Sequence, residues 1–152
     1  MLNAADRQRL SRQIRDTAIS WSVGRASAAE IDRSNILIAT RLAMTRALDG
    51  LSVDLDCAVI DAVQLTEPVF PVLSLVRGDL VSYSVACASI VAKVDRDNLM
   101  ANLDRVYPHY GFARHKGYAA AEHRLALADF GPSPEHWLTC RSVVPQDPGV
   151  HN

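Results

Sequence analysis

Just two stretches of this 152-residue chain have strand character, and both are short. Cys57-Ala-Val-Ile-Asp61 is apolar up to its final aspartate, and residues 69–76 repeat that character with Pro71 near the start. Runs that are apolar throughout, without polar alternation, belong to strands covered on both faces. Two strands do not make an independently stable sheet, so the chain must wrap this pair in helices. The fold class implied is α/β, with little sheet and much helix.

The helices are legible from spacing and stop signals. Residues 4–20 place Leu10, Ile14 and Ala18 at four-residue intervals and stop before Gly24. Ser27-Ala-Ala-Glu30 has the spacing of a capping box, with the Ser hydroxyl on a first-turn amide and the Glu reaching back to the Ser amide. One long helix is expected behind it, with Leu37, Met44, Leu48 and Leu51 on a buried stripe and Asp49-Gly50 at its end. Residues 62–68 read as a loop, and residues 82–106 as a helix whose first half is apolar on nearly all sides and central to the core. Residues 107–117 read as an irregular loop rich in His, Arg and Lys. A further helix over residues 119–130 stops at Gly131-Pro132, and Ser133-Pro134 has the form of a start for one short last helix. The tail from Pro145 is expected to fray.

Length allows one domain with a real core, expected over residues 1–144, with residues 145–152 as the tail. With 49% hydrophobic and 22% charged residues the composition is globular, and no apolar run approaches the roughly 20 residues of a membrane span. A charged N-terminus without an apolar core argues against a signal peptide, so the expected location is cytoplasmic. Cys57, Cys87 and Cys140 are odd in number and far apart, which fits buried thiols better than disulfides or a CxxC site. A net charge of −1 gives no global field for nucleic acid. Local patches remain possible, at Arg7, Arg9, Arg12 and Arg15 and at Arg114, His115 and Lys116, although such clusters are commonly solvated faces.

Two aspartates stand out by placement. Asp61 ends a buried strand, where a carboxylate is held at the sheet rim, but a strand-end aspartate also caps turns or sits in water. Asp79 follows Gly78 and precedes a helix, so its plain reading is an N-cap. The tripeptide Arg77-Gly-Asp79 reads as a cell-adhesion motif only in a secreted protein.

Taken in order, several segments resemble the ribonuclease HII family, the type 2 RNases H, across roughly residues 2–144. They are Ala18-Ile-Ser-Trp-Ser-Val-Gly-Arg-Ala26, Glu30-Ile-Asp-Arg-Ser-Asn-Ile-Leu37 with Ala43-Met-Thr-Arg-Ala-Leu48, Val59-Ile-Asp61 and Arg77-Gly-Asp79. Downstream come Ala88-Ser-Ile-Val-Ala-Lys-Val-Asp-Arg-Asp97, Tyr107-Pro-His-Tyr-Gly-Phe-Ala113, His115-Lys-Gly-Tyr118 and Gly131-Pro-Ser-Pro-Glu-His136. Each is weak alone, and their common order is specific.

The resemblance implies an RNase H-like fold and hydrolysis of the RNA strand of RNA/DNA hybrids, including a cut 5′ of a single ribonucleotide in duplex DNA. It implies two divalent cations, Mn²⁺ or Mg²⁺, held by carboxylates, since hard cations prefer oxygen and two of them can activate water and stabilise the leaving oxygen. Asp61 and Asp79 match two of the family's four acidic residues. Tyr118 matches the tyrosine that packs on the sugar beside the RNA-to-DNA junction, where the 2′-hydroxyl is the group that distinguishes RNA. Lys116 and Arg114 are the neighbouring candidates for phosphate, while Lys93, Arg96 and Asp97 lie in a matching motif without an assigned role.

The departures carry equal weight. The family's first strand, with its Asp-Glu pair, and the Gly-Arg-Gly turn after it have no match, and Ala62 stands where glycine is usual. The resemblance therefore implies an N-terminally truncated RNase H-like domain, inactive and poorly folded by itself, with an ordinary monomeric enzyme as the complete form. Two alternatives stay open: an inactive remnant that at most binds hybrid duplex, and an unrelated helical interaction module.

Overall fold

A computed structural model describes residues 2–140 and 143. In chain order they form α1 (Ala4–Thr17), α2 (Ala28–Arg33), α3 (Ile36–Asp49), β1 (Ala58–Asp61), β2 (Val72–Leu75), α4 (Gly78–Val81) and α5 (Tyr83–Val106). A 3-10 turn (Pro108–Tyr110), α6 (Phe112–His115) and α7 (Ala121–Phe130) follow. The chain divides into two compact units, Met1–Ala26 with Leu37–Arg96 and Ser27–Ile36 with Asp97–Asn152. The division falls inside α5. No helix among the described residues is long and apolar enough to cross a membrane.

In the first unit, Asn3 opens α1 by accepting the Asp6 amide at 2.9 Å. The helix ends at Thr17, earlier than residue 20, where the Thr17 hydroxyl takes the Gln13 carbonyl at 2.7 Å and the chain turns extended at Ala18. The extended segment then runs against α3 at very short range. A Cβ on Gly24 would lie 1.9 Å from the Ala43 carbonyl oxygen, so only glycine fits there. Arg25 fixes the same segment through two hydrogen bonds to the Asp95 carboxylate on α5, at 2.8 and 2.5 Å.

β1 and β2 pair in parallel, with Ala58 opposite Val72 and Asp61 opposite Leu75. The pairing extends past both ends, from the Ala58 amide to the Pro71 carbonyl and from the Ala62 amide to the Leu75 carbonyl, each at 2.9 Å. Cover on both faces is only partial: Ala58 is buried, Val59 and Ile60 are half-buried, and Cys57 is exposed. Cys87 and Cys140 are half-buried, so none of the three thiols is fully enclosed. The first half of α5 also has two faces. Val85, Val91 and Val94 are buried, whereas Ala88 and Ala92 are exposed.

In the second unit the capping box forms as expected: the Ser27 hydroxyl accepts the Glu30 amide and Glu30 Oε2 accepts the Ser27 amide at 2.8 Å. The single long helix expected behind it is two. At Ser34 the hydroxyl donates to the Glu30 carbonyl at 2.8 Å while the backbone leaves helical geometry, which separates α2 from α3. Asp32 then accepts from the Leu138 and Thr139 amides, at 2.9 and 2.7 Å, and from the Thr139 hydroxyl. Burial works against its charge, and these three donors outweigh it, holding the carboxyl below its usual range.

Residues 107–117, expected to be irregular, are largely ordered by the 3-10 turn and α6. Met100, Tyr110, Phe112 and Ala126 are packed at the centre, with Leu99, Leu103, Tyr107 and Leu127 around them. α7 stops where glycine permits it, at Gly131 with φ 70°. The short last helix expected after Ser133-Pro134 does not form among the described residues. Ser133 is engaged in a turn, its carbonyl accepting the His136 amide at 3.0 Å and its hydroxyl the Glu135 amide at 3.3 Å. The tail from Pro145 lies outside the described residues.

Candidate functional site

Asp61 is tied through one backbone amide to the residue that precedes Asp79. β1 delivers Asp61 to the sheet edge, and its Oδ1 accepts the Gly78 N–H at 2.9 Å, which puts the carboxylate at the first residue of α4. Asp79 is the next residue. It is not the N-cap: that position belongs to Arg77, in left-handed conformation with φ 55° and without a capping side chain. Asp61 supplies the cap from another element. Both carboxylates are exposed.

The backbone is tight on both sides of this pair. Directly after Asp61, Ala62 has φ 53°, and the Val63 amide reaches back over it to the Asp61 carbonyl at 2.7 Å. Glycine adopts such a φ freely, and alanine pays roughly 1 kcal/mol. The Ala62 departure is therefore first a conformational matter. A Cβ on Gly78 would stand 3.2 Å from Val85 Cγ1 and 3.5 Å from Asp61 Cα, so the bare glycine lets the amide reach the carboxylate.

Asp61 Oδ2 and the Asp79 carboxylate are suitable donors for a hard cation, but no group of three or more His, Cys, Asp or Glu able to hold a metal occurs among the described residues. The donor set present does not fit two cations.

Beside β1 lies a cleft of about 940 Å³, bordered by residues of α1, α3 and α5 as well as the strand. Leu10, Ile14, Trp21, Met44, Leu48 and Val59 are among its lining residues, as is Asp61. An apolar lining of this size suits core side chains and not phosphate.

The remaining site candidates share one turn of the second unit. Arg114 pairs with Glu122 at 3.1 Å, both largely exposed, which is a surface ion pair of little energetic weight. Lys116 and Gly117 are successive residues at positive φ, 54° and 82°. Tyr118 follows as a residue 67% exposed, so it is not the core aromatic that its residue type alone suggests. Its backbone is tied on both sides: the amide donates to the His115 carbonyl at 2.9 Å, and the carbonyl lies 3.0 Å from His123 Nδ1 and accepts the Ala120 amide at 2.8 Å.

Behind that turn sits a cluster that spacing did not reveal. His123 and His136 are both buried, with their Nε2 atoms 2.9 Å apart. His136 Nδ1 accepts the Ser133 amide at 2.9 Å, with the Ser133 hydroxyl at 2.8 Å. His115 stacks on His123 at a centroid distance of 4.4 Å, and Tyr110 and Phe112 enclose His136 at 4.9 and 5.3 Å. Burial first, then neighbouring imidazoles, push the affinity of both buried rings for a proton below the ordinary histidine range.

A family model described as ribonuclease HII matches residues 1–141. The chain belongs to the ribonuclease HII family. Within it, the ribonuclease HII of Chloroflexus aurantiacus is 51% identical over 143 residues, covering 94% of this chain and 68% of the relative. Its counterpart in Desulfitobacterium hafniense is 49% identical over 135 residues, 89% of this chain and 52% of the relative. In Thermus thermophilus the figures are 48% over 136 residues, 90% and 66%. The chain thus spans between about half and about two thirds of these ribonuclease HII sequences. The crystal structure of the ribonuclease H2 from Pyrococcus horikoshii OT3 matches with a TM-score of 0.77, over 94% of this chain and 75% of that one, at 19% identity. That likeness establishes the α/β, RNase H-like fold.

Proposed function

We propose that this chain carries one half of a ribonuclease HII site, Asp61 and Asp79, and that the complete protein hydrolyses the RNA strand of RNA/DNA hybrids and cuts at single ribonucleotides in duplex DNA. The observation that supports the reading is the Gly78 amide held by Asp61 Oδ1, which ties Asp61 to the residue preceding Asp79. Asp61, fixed by that bond, and Asp79 are the catalytic and metal-binding candidates. Tyr118 is the candidate for the sugar beside the ribonucleotide, and Lys116 and Arg114 for the adjacent phosphates.

Two divalent cations, Mn²⁺ or Mg²⁺, would supply water activation and leaving-group stabilisation in the complete site. Within the described residues the chain's own part is limited to orienting one carboxylate, presenting the second and offering an exposed aromatic surface. The cleft along β1 supports the same reading from packing, because a two-stranded sheet beside a large apolar void has room for further structure.

The expected result with a duplex carrying one ribonucleotide and Mn²⁺ is no cleavage by this chain alone. Robust cleavage that disappears in Asp61→Asn would contradict the half-site. The shortage of donors favours one second reading for the isolated chain, that it binds hybrid duplex without cutting it. Retention of the duplex with a steep loss on adding salt is its signature.

A further inference from the structure

We propose that Ser133, His136 and His123 form a one-way hydrogen-bond relay that holds the Tyr118 backbone and so positions its exposed ring against the substrate. The inference rests on Tyr118 being the residue that contacts the ribonucleotide, and it adds three positioning residues to that reading.

The direction of the relay follows from donor and acceptor counting. The Ser133 amide can only donate, so His136 Nδ1 must be the bare nitrogen. The proton of neutral His136 then sits on Nε2 and points at His123 Nε2, which has to accept it across 2.9 Å. That leaves the His123 proton on Nδ1, aimed at the Tyr118 carbonyl 3.0 Å away. Every ring nitrogen has a partner, His136 Nδ1 also facing the Ser133 hydroxyl, which can donate to it, and no donor faces another. An extra proton on either ring breaks the sequence: on His123 it opposes the His136 N–H, and on His136 it opposes the Ser133 amide. The lowered proton affinity of both buried rings agrees with a neutral relay.

The relay ends on a residue with an unusual division of roles. Tyr118 has its carbonyl held by His123 and Ala120 and its amide donated to His115, yet the ring is exposed. His115 is itself oriented, with Nδ1 accepting the Gly117 amide at 3.2 Å and Nε2 close to the Tyr110 carbonyl at 2.7 Å. A fixed backbone under an exposed aromatic lowers the ordering cost when a flat ligand surface packs on the ring. Histidines serving only as core filler would not need an unbroken donor sequence ending at this carbonyl.

Nitrogen NMR of the imidazoles in the full chain is the direct test. His123 is expected with its proton on Nδ1, and His136 and His115 with theirs on Nε2; His123 protonated on Nε2 overturns the relay. Positioning is read from binding to two duplexes that differ by one ribonucleotide. The wild-type chain is expected to prefer the ribonucleotide duplex, Tyr118→Ala to abolish the preference, and His123→Leu to reduce it about fivefold, the weight of one hydrogen bond. His123→Asn, whose side-chain amide can donate in place of Nδ1, is expected to keep the preference within about twofold. Should His123→Leu fail to fold, the Asn variant and the tautomers decide. A preference unchanged in folded His123→Leu, or lost in folded His123→Asn, overturns the positioning role. If the wild type shows no preference, or Tyr118→Ala leaves it intact, the reading of Tyr118 itself fails and the inference falls with it.

Discussion

In the second unit Tyr110, Phe112, His123 and His136 are all buried and linked by stacked, tilted and edge-on ring contacts, whereas in the first unit Val69, Val76, Leu80 and Tyr83 are largely exposed and a 940 Å³ apolar cleft runs beside the sheet. Both regions have family motifs, and they differ in how far each can satisfy itself. Short turns and histidines bring their own donors and acceptors, so residues 107–136 close over a small core. A parallel pair of four-residue strands cannot do so, since each strand needs a neighbour or a helix on every side that β1 and β2 do not cover for each other. The difference teaches that the proposed carboxylates, Asp61 and Asp79, are built on the less enclosed part of the molecule. The turn that carries Tyr118 rests on the part that is closed.

The contrast breaks most visibly with core substitutions. Phe112→Ala is expected to cost about 3–5 kcal/mol and to erase the near-ultraviolet aromatic signal of the second unit. Gly24→Ala, forced against the Ala43 carbonyl, is expected to cost about 1–3 kcal/mol and to disturb the first unit while the signals of Tyr110 and Phe112 persist. Denaturant unfolding followed by aromatic circular dichroism and NMR separates the two. Equal loss of both units from either substitution removes the distinction.

Acid acts on the closed unit through its buried histidines. His123 and His136 bind protons less readily when folded than their ordinary value of 6.5, so the unfolded chain takes up more protons as the pH falls. Stability from this pair is complete above that value and is lost as the pH drops through the lower folded values. The groups facing the pair are His115, stacked on His123, and Tyr110, against His136, and neither offers a negative charge that would reverse the sign at acidic pH. Amide exchange around residues 118–136 is expected to accelerate below pH 6.5 ahead of that around β1, with the sign checked by the loss of the effect in His123→Asn. The smallest effect belongs to Ala62→Gly, which relieves the positive φ beside Asp61 and is expected to stabilise the first unit by up to about 1 kcal/mol, read as a shift of the denaturant midpoint at constant slope.

What the sequence made legible was local. Ser27 and Glu30 form their capping box, Gly131 ends α7, and β1 ends at Asp61, because each depends on neighbours a few positions away. The misreadings arise where distant chain decides. The Ser34 break is the local exception: its hydroxyl competes for the Glu30 carbonyl that the helix needs. Cys57 is exposed because cover for a strand comes from elsewhere in the chain. Asp79 looks like an N-cap until Asp61, from the end of β1, takes the Gly78 amide instead. The histidine relay was missed since His115, His123 and His136 share no period, although three of the five histidines falling between α6 and the Ser133 turn was a signal available before the structure. Tyr118 could be assigned only through the family resemblance, and the structure adds that its ring is exposed on a tied backbone.

The central claim is that Asp61 and Asp79 are half of a carboxylate site, and Mn²⁺ titration of this chain followed by electron paramagnetic resonance addresses it most directly. The account predicts at most one weakly held ion, unsaturated at millimolar metal and lost in Asp61→Asn. Two ions bound tightly by this chain alone would contradict it.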